Sequence, residues 1–177
     1  AETTVRHEPP PVTIRRAVPR DAEDMVSIYN HEVENFTTTL DMVPRSIVEQ
    51  RAWIEARTGA FAAIVAVLDD GADGERVVGF ASLSKFKDRP AYSPTVEDSV
   101  YVSRTHGGRG IGRSLMERLI HDARDSGFHS MIARIEASGE ASIALHRACG
   151  FELVGVEREV GRKFRRWLDV VVMQLML

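Results

Sequence analysis

The chain has 177 residues, 44% of them hydrophobic, which fits one domain of ordinary size with a real core. A formal net charge of −3 argues against nucleic acid or an anionic membrane as the main partner, since either favours a basic face, and leaves a small molecule as the expected partner. The single Cys149 excludes an internal disulfide, and no charged-then-apolar leader, run of about eighteen apolar residues or metal-ligand spacing appears, so a cytoplasmic protein without a metal is expected.

Residues Ala1 to Pro11, with Pro9-Pro10-Pro11, lack periodicity and read as a disordered leader. Val12 to Arg16 alternates as a first strand, and Asp21 caps a helix whose Met25, Ile28, Tyr29 and Val33 share one face. Ser46 and Glu49 form a capping-box pattern that opens a second helix, running through Trp53 to about Ala56. Phe61 to Leu68, Val77 to Phe86 and about Val96 to Ser103 are β-rich. The acidic cluster Asp69-Asp70-Gly71-Ala72-Asp73-Gly74-Glu75 joins the first two, which predicts a meander. Further on, Ile111, Leu115, Leu119, Ile120 and Ala123 line one helical face, with Arg113, Glu117, Arg118 and Asp122 on the rest. Met131 to Ile135 reads as a short buried strand, Ala141 to Cys149 as a short helix ended by Gly150, and Glu152 to Val160 with Leu168 to Leu177 as a closing strand pair. This order predicts a mixed α/β domain from residue 12 to 177.

Between the third β-rich run and the amphipathic helix lies Gly107-Gly108-Arg109-Gly110-Ile111-Gly112-Arg113, four glycines within six residues. Without side chains the backbone can approach a ligand closely, and the unpaired N–H groups of the helix start, with the helix dipole, favour an anion such as a phosphate or pyrophosphate. The P-loop pattern fails because Arg113 stands where its lysine is required, and the dinucleotide fingerprint fails at Leu115, where a third glycine belongs. A plain turn with no ligand has little use for so many glycines, each of which costs chain entropy on folding.

The glycine run resembles the acyl-coenzyme A loop of the GNAT N-acetyltransferase superfamily. Gly110-Ile111-Gly112 fits that loop, and Gly107 stands at its Arg/Gln position. From Val12 to Leu177 the chain resembles the phosphinothricin (methionine sulfone) N-acetyltransferase branch. The carrying residues are Ile28-Tyr29-Asn30-His31, Pro44-Arg45-Ser46, Tyr92, Thr95-Val96-Glu97-Asp98-Ser99-Val100-Tyr101-Val102, Glu159-Val160-Gly161-Arg162-Lys163-Phe164 and Arg166-Trp167-Leu168-Asp169.

The resemblance implies a central, mostly antiparallel splayed sheet flanked by helices, a homodimer, and acetyl-CoA as cosubstrate. The main chain of Val100, Tyr101 and Val102 would pair with the pantetheine amides as an added strand does, and Gly107, Gly108, Arg109, Gly110, Ile111, Gly112 and Arg113 would hold the pyrophosphate, with Ser142 also at the cofactor. Glu97 is the implied base for the acceptor amine, and His146 the acid or a proton relay at the place where many members carry a tyrosine. Lys87, Arg89, Pro90, Ala91 and Tyr92 are the implied acceptor contacts, the two cations suiting a carboxylate or phosphinate. His31 and His106 also match family positions, as packing residues. Leu40, where the family usually has Phe, would reshape the acceptor pocket, and Gly139, usually Asn, would remove a hydrogen bond to pantetheine. The expected activity is N-acetylation of a small amino-acid-like anion. The rivals are a peptide amino terminus or a polyamine as acceptor, and a coenzyme A-binding sensor that transfers nothing.

Overall fold

The computed structural model describes residues 12–69 and 74–177; the expected leader Ala1 to Pro11 and the middle of the acidic turn, Asp70 to Asp73, lie outside the described residues. In chain order the elements are β1 (Val12–Arg16), α1 (Ala22–Asn35), α2 (Ile47–Ala56), β2 (Ile64–Asp69), β3 (Glu75–Lys85), β4 (Thr95–Val102), α3 (Ile111–Asp125), β5 (Ser130–Glu136), α4 (Glu140–Ala148), β6 (Glu152–Lys163) and β7 (Arg166–Met176). They build one seven-stranded sheet in the order β1-β2-β3-β4-β5-β7-β6. β4 and β5 pair in parallel, and every other neighbouring pair is antiparallel, so the sheet is mixed and mostly antiparallel.

Alternation along the strands sends successive side chains to opposite faces, and each face carries its own core. On one face Val78, Val96, Met131, Ala133 and Met173 pack against Ile111, Leu115, Met116 and Leu119 of α3. On the other, Val65, Val67, Val77 and Phe80 pack against Met25, Tyr29 and Val33 of α1 and Ile54 of α2. Leu115 and Leu119 are almost wholly removed from water, and burying each contributes on the order of 2 kcal/mol.

Local chemistry accounts for most element ends. Ser46 Oγ accepts from Glu49 N at 3.1 Å while the Glu49 carboxylate accepts from Ser46 N at 3.3 Å, the reciprocal cap that starts α2. Asp21 stands at the start of α1 but its side chain does not cap that helix. Its two oxygens each accept from the Arg15 guanidinium at 2.8 Å, and one also closes the preceding 3-10 turn by accepting from Val18 N. A partly buried cation thus outcompetes the helix amides for this carboxylate. β2 begins at Ile64 and not at Phe61, because Gly59–Phe61 forms a 3-10 turn that sets the Phe61 ring 5.9 Å from Phe128. β6 runs past Val160 to Lys163. Phe164 and Arg165, with φ of 52° and 62°, make a tight two-residue turn into β7, with Lys163 paired to Arg166. Phe-Arg is not a turn signal, which is why periodicity stops this strand early.

Candidate active site

β4 and β5 share only three register pairs, Thr95 with Ser130, Val96 with Met131 and Glu97 with Ile132. Beyond Glu97 the strands part, while β4 stays paired to β3 as far as Val102 and β5 stays paired to β7 as far as Glu136. The main chain of Asp98 to Val102 is therefore bonded on one side and open on the β5 side. A cavity of about 80 Å³ fills the parting, lined by Asp98, Ser99, Val100 and Tyr101 of β4, Ala133 to Glu136 of β5, Thr38, and Gly139, Ser142 and His146 at α4.

Side chains of the connecting loops brace this gap. Thr37 Oγ1 donates to the Glu136 carboxylate at 3.1 Å, and the Lys163 ammonium donates to the carbonyls of Phe36 and Thr39 at 2.7 and 2.8 Å. Arg104 grips the buried Glu32 carboxylate through two hydrogen bonds, at 3.0 and 2.9 Å, and stacks on the Phe36 ring. The segment after α1 is thereby fixed over the cavity. Leu40 in that segment packs so closely on Gly161 that a Cβ there would lie 2.7 Å from its Cδ2.

The glycine run sits at the far end of β4. Gly108 and Gly110 have φ of 73° and 77°, a region that costs glycine nothing, and Gly110 opens α3 with no side chain capping its amides. At Gly112 a Cβ would meet Leu145 Cδ2 at 3.2 Å, so its bareness lets α3 lie close to α4. Gly139 is tighter still, with the Glu136 carbonyl 3.1 Å from where a Cβ would be, so a larger residue here needs a small shift of that main chain. Arg109 is exposed, and Arg113 turns to Glu117 at 2.9 Å. His106 bonds the Thr105 hydroxyl at 2.9 Å and His31 stacks against Phe36, both in packing roles.

Neighbouring residues of β4 face opposite sides. Glu97 points to the side of α1 and α2, as do Ser99 and Tyr101, whose ring packs edge-on against Tyr29. It is half-buried on the last shared rung, just outside the cavity lining. Burial pushes its carboxyl pKa up; the Arg134 charge opposes this, and the charges of Asp98 and Glu157 add to it. Arg134 itself is held by Glu157.

Asp98 points to the side of α3 and α4. It meets His146, and both side chains are almost fully buried, at 2% and 4% exposure. Nε2 of His146 lies 2.7 Å from Asp98 Oδ2, and Nδ1 lies 2.7 Å from the Ser142 carbonyl oxygen. A neutral imidazole donates from one nitrogen only, so a ring facing acceptors at both is best satisfied as the imidazolium. Burial works against that charge, but the hydrogen bond and charge of Asp98 and the Ser142 carbonyl outweigh it and hold the pKa above the ordinary imidazole value.

Of the residues expected from sequence, the fold brings Val100, Tyr101, Ser142 and His146 together around the parting, with Glu97 at its closed end. Val102 and the glycine run continue beyond its open end. Lys87, Arg89, Pro90, Ala91 and Tyr92 stand on an exposed connection between β3 and β4, outside the cavity lining, with the Lys87 ammonium over the Phe86 and Tyr92 rings. Asp98, Arg134, Glu136 and Thr38 join the site without having been singled out. For Asp98 there was a signal, an acid between Val96 and Val100 on an otherwise apolar strand face.

A strand pair that opens beside an uncapped, glycine-built helix start is a cradle for an extended ligand ending in a diphosphate. Residues 25–151 match the model of the acetyltransferase (GNAT) family. The chain belongs to the GNAT family. It is 41% identical over 165 residues to the L-methionine sulfoximine/L-methionine sulfone acetyltransferase of Pseudomonas paraeruginosa, covering 93% of this chain and 94% of that one. It is 37% identical to the phosphinothricin N-acetyltransferase of Streptomyces coelicolor, over 90% of this chain and 92% of the relative. The crystal structure of a GNAT superfamily phosphinothricin acetyltransferase from Sinorhizobium meliloti in complex with acetyl-CoA superposes with a TM-score of 0.86 at 39% identity, covering 94% of this chain and 88% of that one. The splayed sheet expected from the resemblance is present, and the chain is an N-acetyltransferase by family.

Proposed function

We propose that this chain transfers the acetyl group of acetyl-CoA to the α-amino group of a small amino-acid-like anion of the methionine sulfone, methionine sulfoximine or phosphinothricin type. The observation that carries the reading is the parting of β4 from β5 immediately after Glu97, with the open edge of residues 98 to 102 leading to the bare amides of the Gly108–Gly112 turn. The names borne by relatives at 41% and 37% identity support the acceptor class.

Acetyl-CoA supplies an activated thioester. The chain's own work is to hold it and to move protons. The turn at Gly107 to Arg113 fits a diphosphate through main-chain N–H groups, while the open edge at Val100, Tyr101 and Val102 offers amide pairing to an extended arm. An unpaired N–H of that edge stabilises negative charge developing on the reacting carbonyl oxygen. Glu97, on the opposite face from α3, takes a proton from the acceptor's ammonium, and its upward-shifted pKa brings it closer to what a base at neutral pH needs. On the other face His146, the expected acid or relay, is joined to Asp98 and acts on the site through it.

Arg134 in the cavity wall and the exposed Lys87 and Arg89 favour an anionic acceptor over a polyamine. Among the described residues no helix is long and apolar enough to cross a membrane; a cytoplasmic location remains part of the proposal. So does a homodimer, supported by an exposed apolar strip on the β6–β7 hairpin at Leu153, Val154, Val156, Val160, Phe164 and Trp167.

Thiol release from acetyl-CoA, measured over a panel of amino acids with their sulfone, sulfoximine and phosphinate analogues, tests the reading. Turnover with the analogues is expected, and Arg89→Ala should raise KM for anionic acceptors alone. Acetyl-CoA binding without thiol release for any acceptor would leave a sensor as the better description.

A further inference from the structure

Each ring nitrogen of His146 is already engaged, Nδ1 by the Ser142 carbonyl and Nε2 by Asp98 Oδ2. Neither is free to face a substrate. The free position in this pair belongs to Asp98, which lines the cavity and whose Oδ1 is buried with no hydrogen-bond partner. A buried carboxylate oxygen without a partner is costly, and a purely structural role does not require one at a cavity wall. Glu97 and Asp98, adjacent on β4, point to opposite sheet faces, so the parting between β4 and β5 has one carboxylate on each side.

We propose that Asp98 is a catalytic residue, whose Oδ1 carries a proton from the acceptor nitrogen to the departing sulfur, with His146 as the positioning residue behind it. The inference deepens the acetyltransferase reading of this site and rests on it. Acetyl transfer to an ammonium releases two protons from nitrogen. Glu97 takes the first, before attack. When the C–N bond has formed, the nitrogen holds one proton too many; Asp98 Oδ1 accepts it and the N–H electron pair stays on nitrogen. As the C–S bond breaks with its electron pair going to sulfur, the same proton passes from Oδ1 to sulfur. Asp98 ends as it began, ionised, and the free thiol leaves. The imidazolium holds Oδ2 throughout and fixes the carboxylate. The other ionisable groups about the pair are Glu97 on the same strand, Arg134 and Glu136 of β5 across the cavity, and Cys149 after α4, whose thiol pKa burial pushes up.

Leaving-group dependence separates this role from a structural one. On acetyl-CoA, Asp98→Asn should lower kcat by about 100-fold and His146→Asn by about 10-fold, the scale of lost acid–base catalysis and of lost positioning respectively, with KM for acetyl-CoA little changed. On acetyl thiophenol, whose thiolate leaves without a proton, only the nitrogen half of the transfer is left to Asp98, so the Asp98→Asn loss should shrink to about 10-fold, while Glu97→Gln stays as impaired as on acetyl-CoA. Equal losses on both donors, an Asp98→Asn rate near wild type, or a His146→Asn loss matching that of Asp98→Asn would overturn the proposal. Nitrogen NMR of histidine-labelled wild type needs no variant: His146 protonated at both nitrogens at neutral pH is expected, and a bare Nε2 would refute the order of the pair. If wild type releases no thiol with any acceptor, it is the acetyltransferase reading that fails.

Discussion

The two faces of β4 treat neighbouring carboxylates in opposite ways. Glu97 is half-buried beside an arginine, whereas Asp98 is almost fully buried against the His146 ring, between the sheet and α4, with one oxygen left without a partner at the cavity wall. One strand thus has a more open, wet side at Glu97 and a buried, dry side at Asp98. The difference teaches that strand alternation alone, in a strand whose partner peels away, is enough to give adjacent carboxylates opposite surroundings.

Removing the wet-side carboxylate is the largest expected perturbation. Glu97→Gln should lower kcat by about 100-fold or more, with acetyl-CoA binding within about twofold, because shape is kept and proton acceptance lost. Steady-state kinetics with an acetyl-CoA titration check this. In wild type the acid limb of the rate profile should lie above the ordinary carboxylate value of 4.5, since burial raises the Glu97 pKa and only its ionised form accepts a proton.

Loss of the Lys163 anchor comes next. Lys163→Met leaves the carbonyls of Phe36 and Thr39 without their donor, costing about 2–3 kcal/mol and raising KM for the acceptor, because the segment over the cavity loosens. Urea unfolding monitored by circular dichroism measures it; a midpoint unchanged from wild type would show that the segment is held elsewhere.

The dry side should reveal itself through pH. The His146 pKa is raised in the fold, so its contribution to stability is fully present below 6.5 and is lost as pH rises through the raised value. Thermal melts should show Asp98→Asn losing most relative to wild type at low pH, and the gap closing as pH rises. A gap that widened with pH would mean that the ring is buried neutral. The smallest effect is expected far from the site, where Ser46→Ala removes the α2 cap at a cost of about 1 kcal/mol with kcat unchanged.

Much of this was legible before the fold was seen. The apolar stripe of α3, the Ser46–Glu49 box and the alternation of the meander are local patterns, and each produced the expected element. The glycine turn was legible because Gly108 and Gly110 take a positive φ that favours glycine. What escaped was decided over long separations. Asp21 reads as a cap until Arg15 claims it, and nothing near Lys163 in sequence points to the distant carbonyls of Phe36 and Thr39 that its ammonium meets. The Asp98–His146 pair joins β4 to α4, a contact no spacing rule could place. The basic connection at Lys87 and Arg89 stands away from the cavity in this structure, and its part in acceptor binding rests on the resemblance.

A crystal structure with acetyl-CoA tests the central claim most directly. The account predicts the diphosphate on the main-chain amides of Gly108 to Gly112 and the thioester in the parting of β4 and β5, with Glu97 on one side of it and Asp98 on the other. A diphosphate bound elsewhere, or a sulfur turned away from residues 97 and 98, would contradict it.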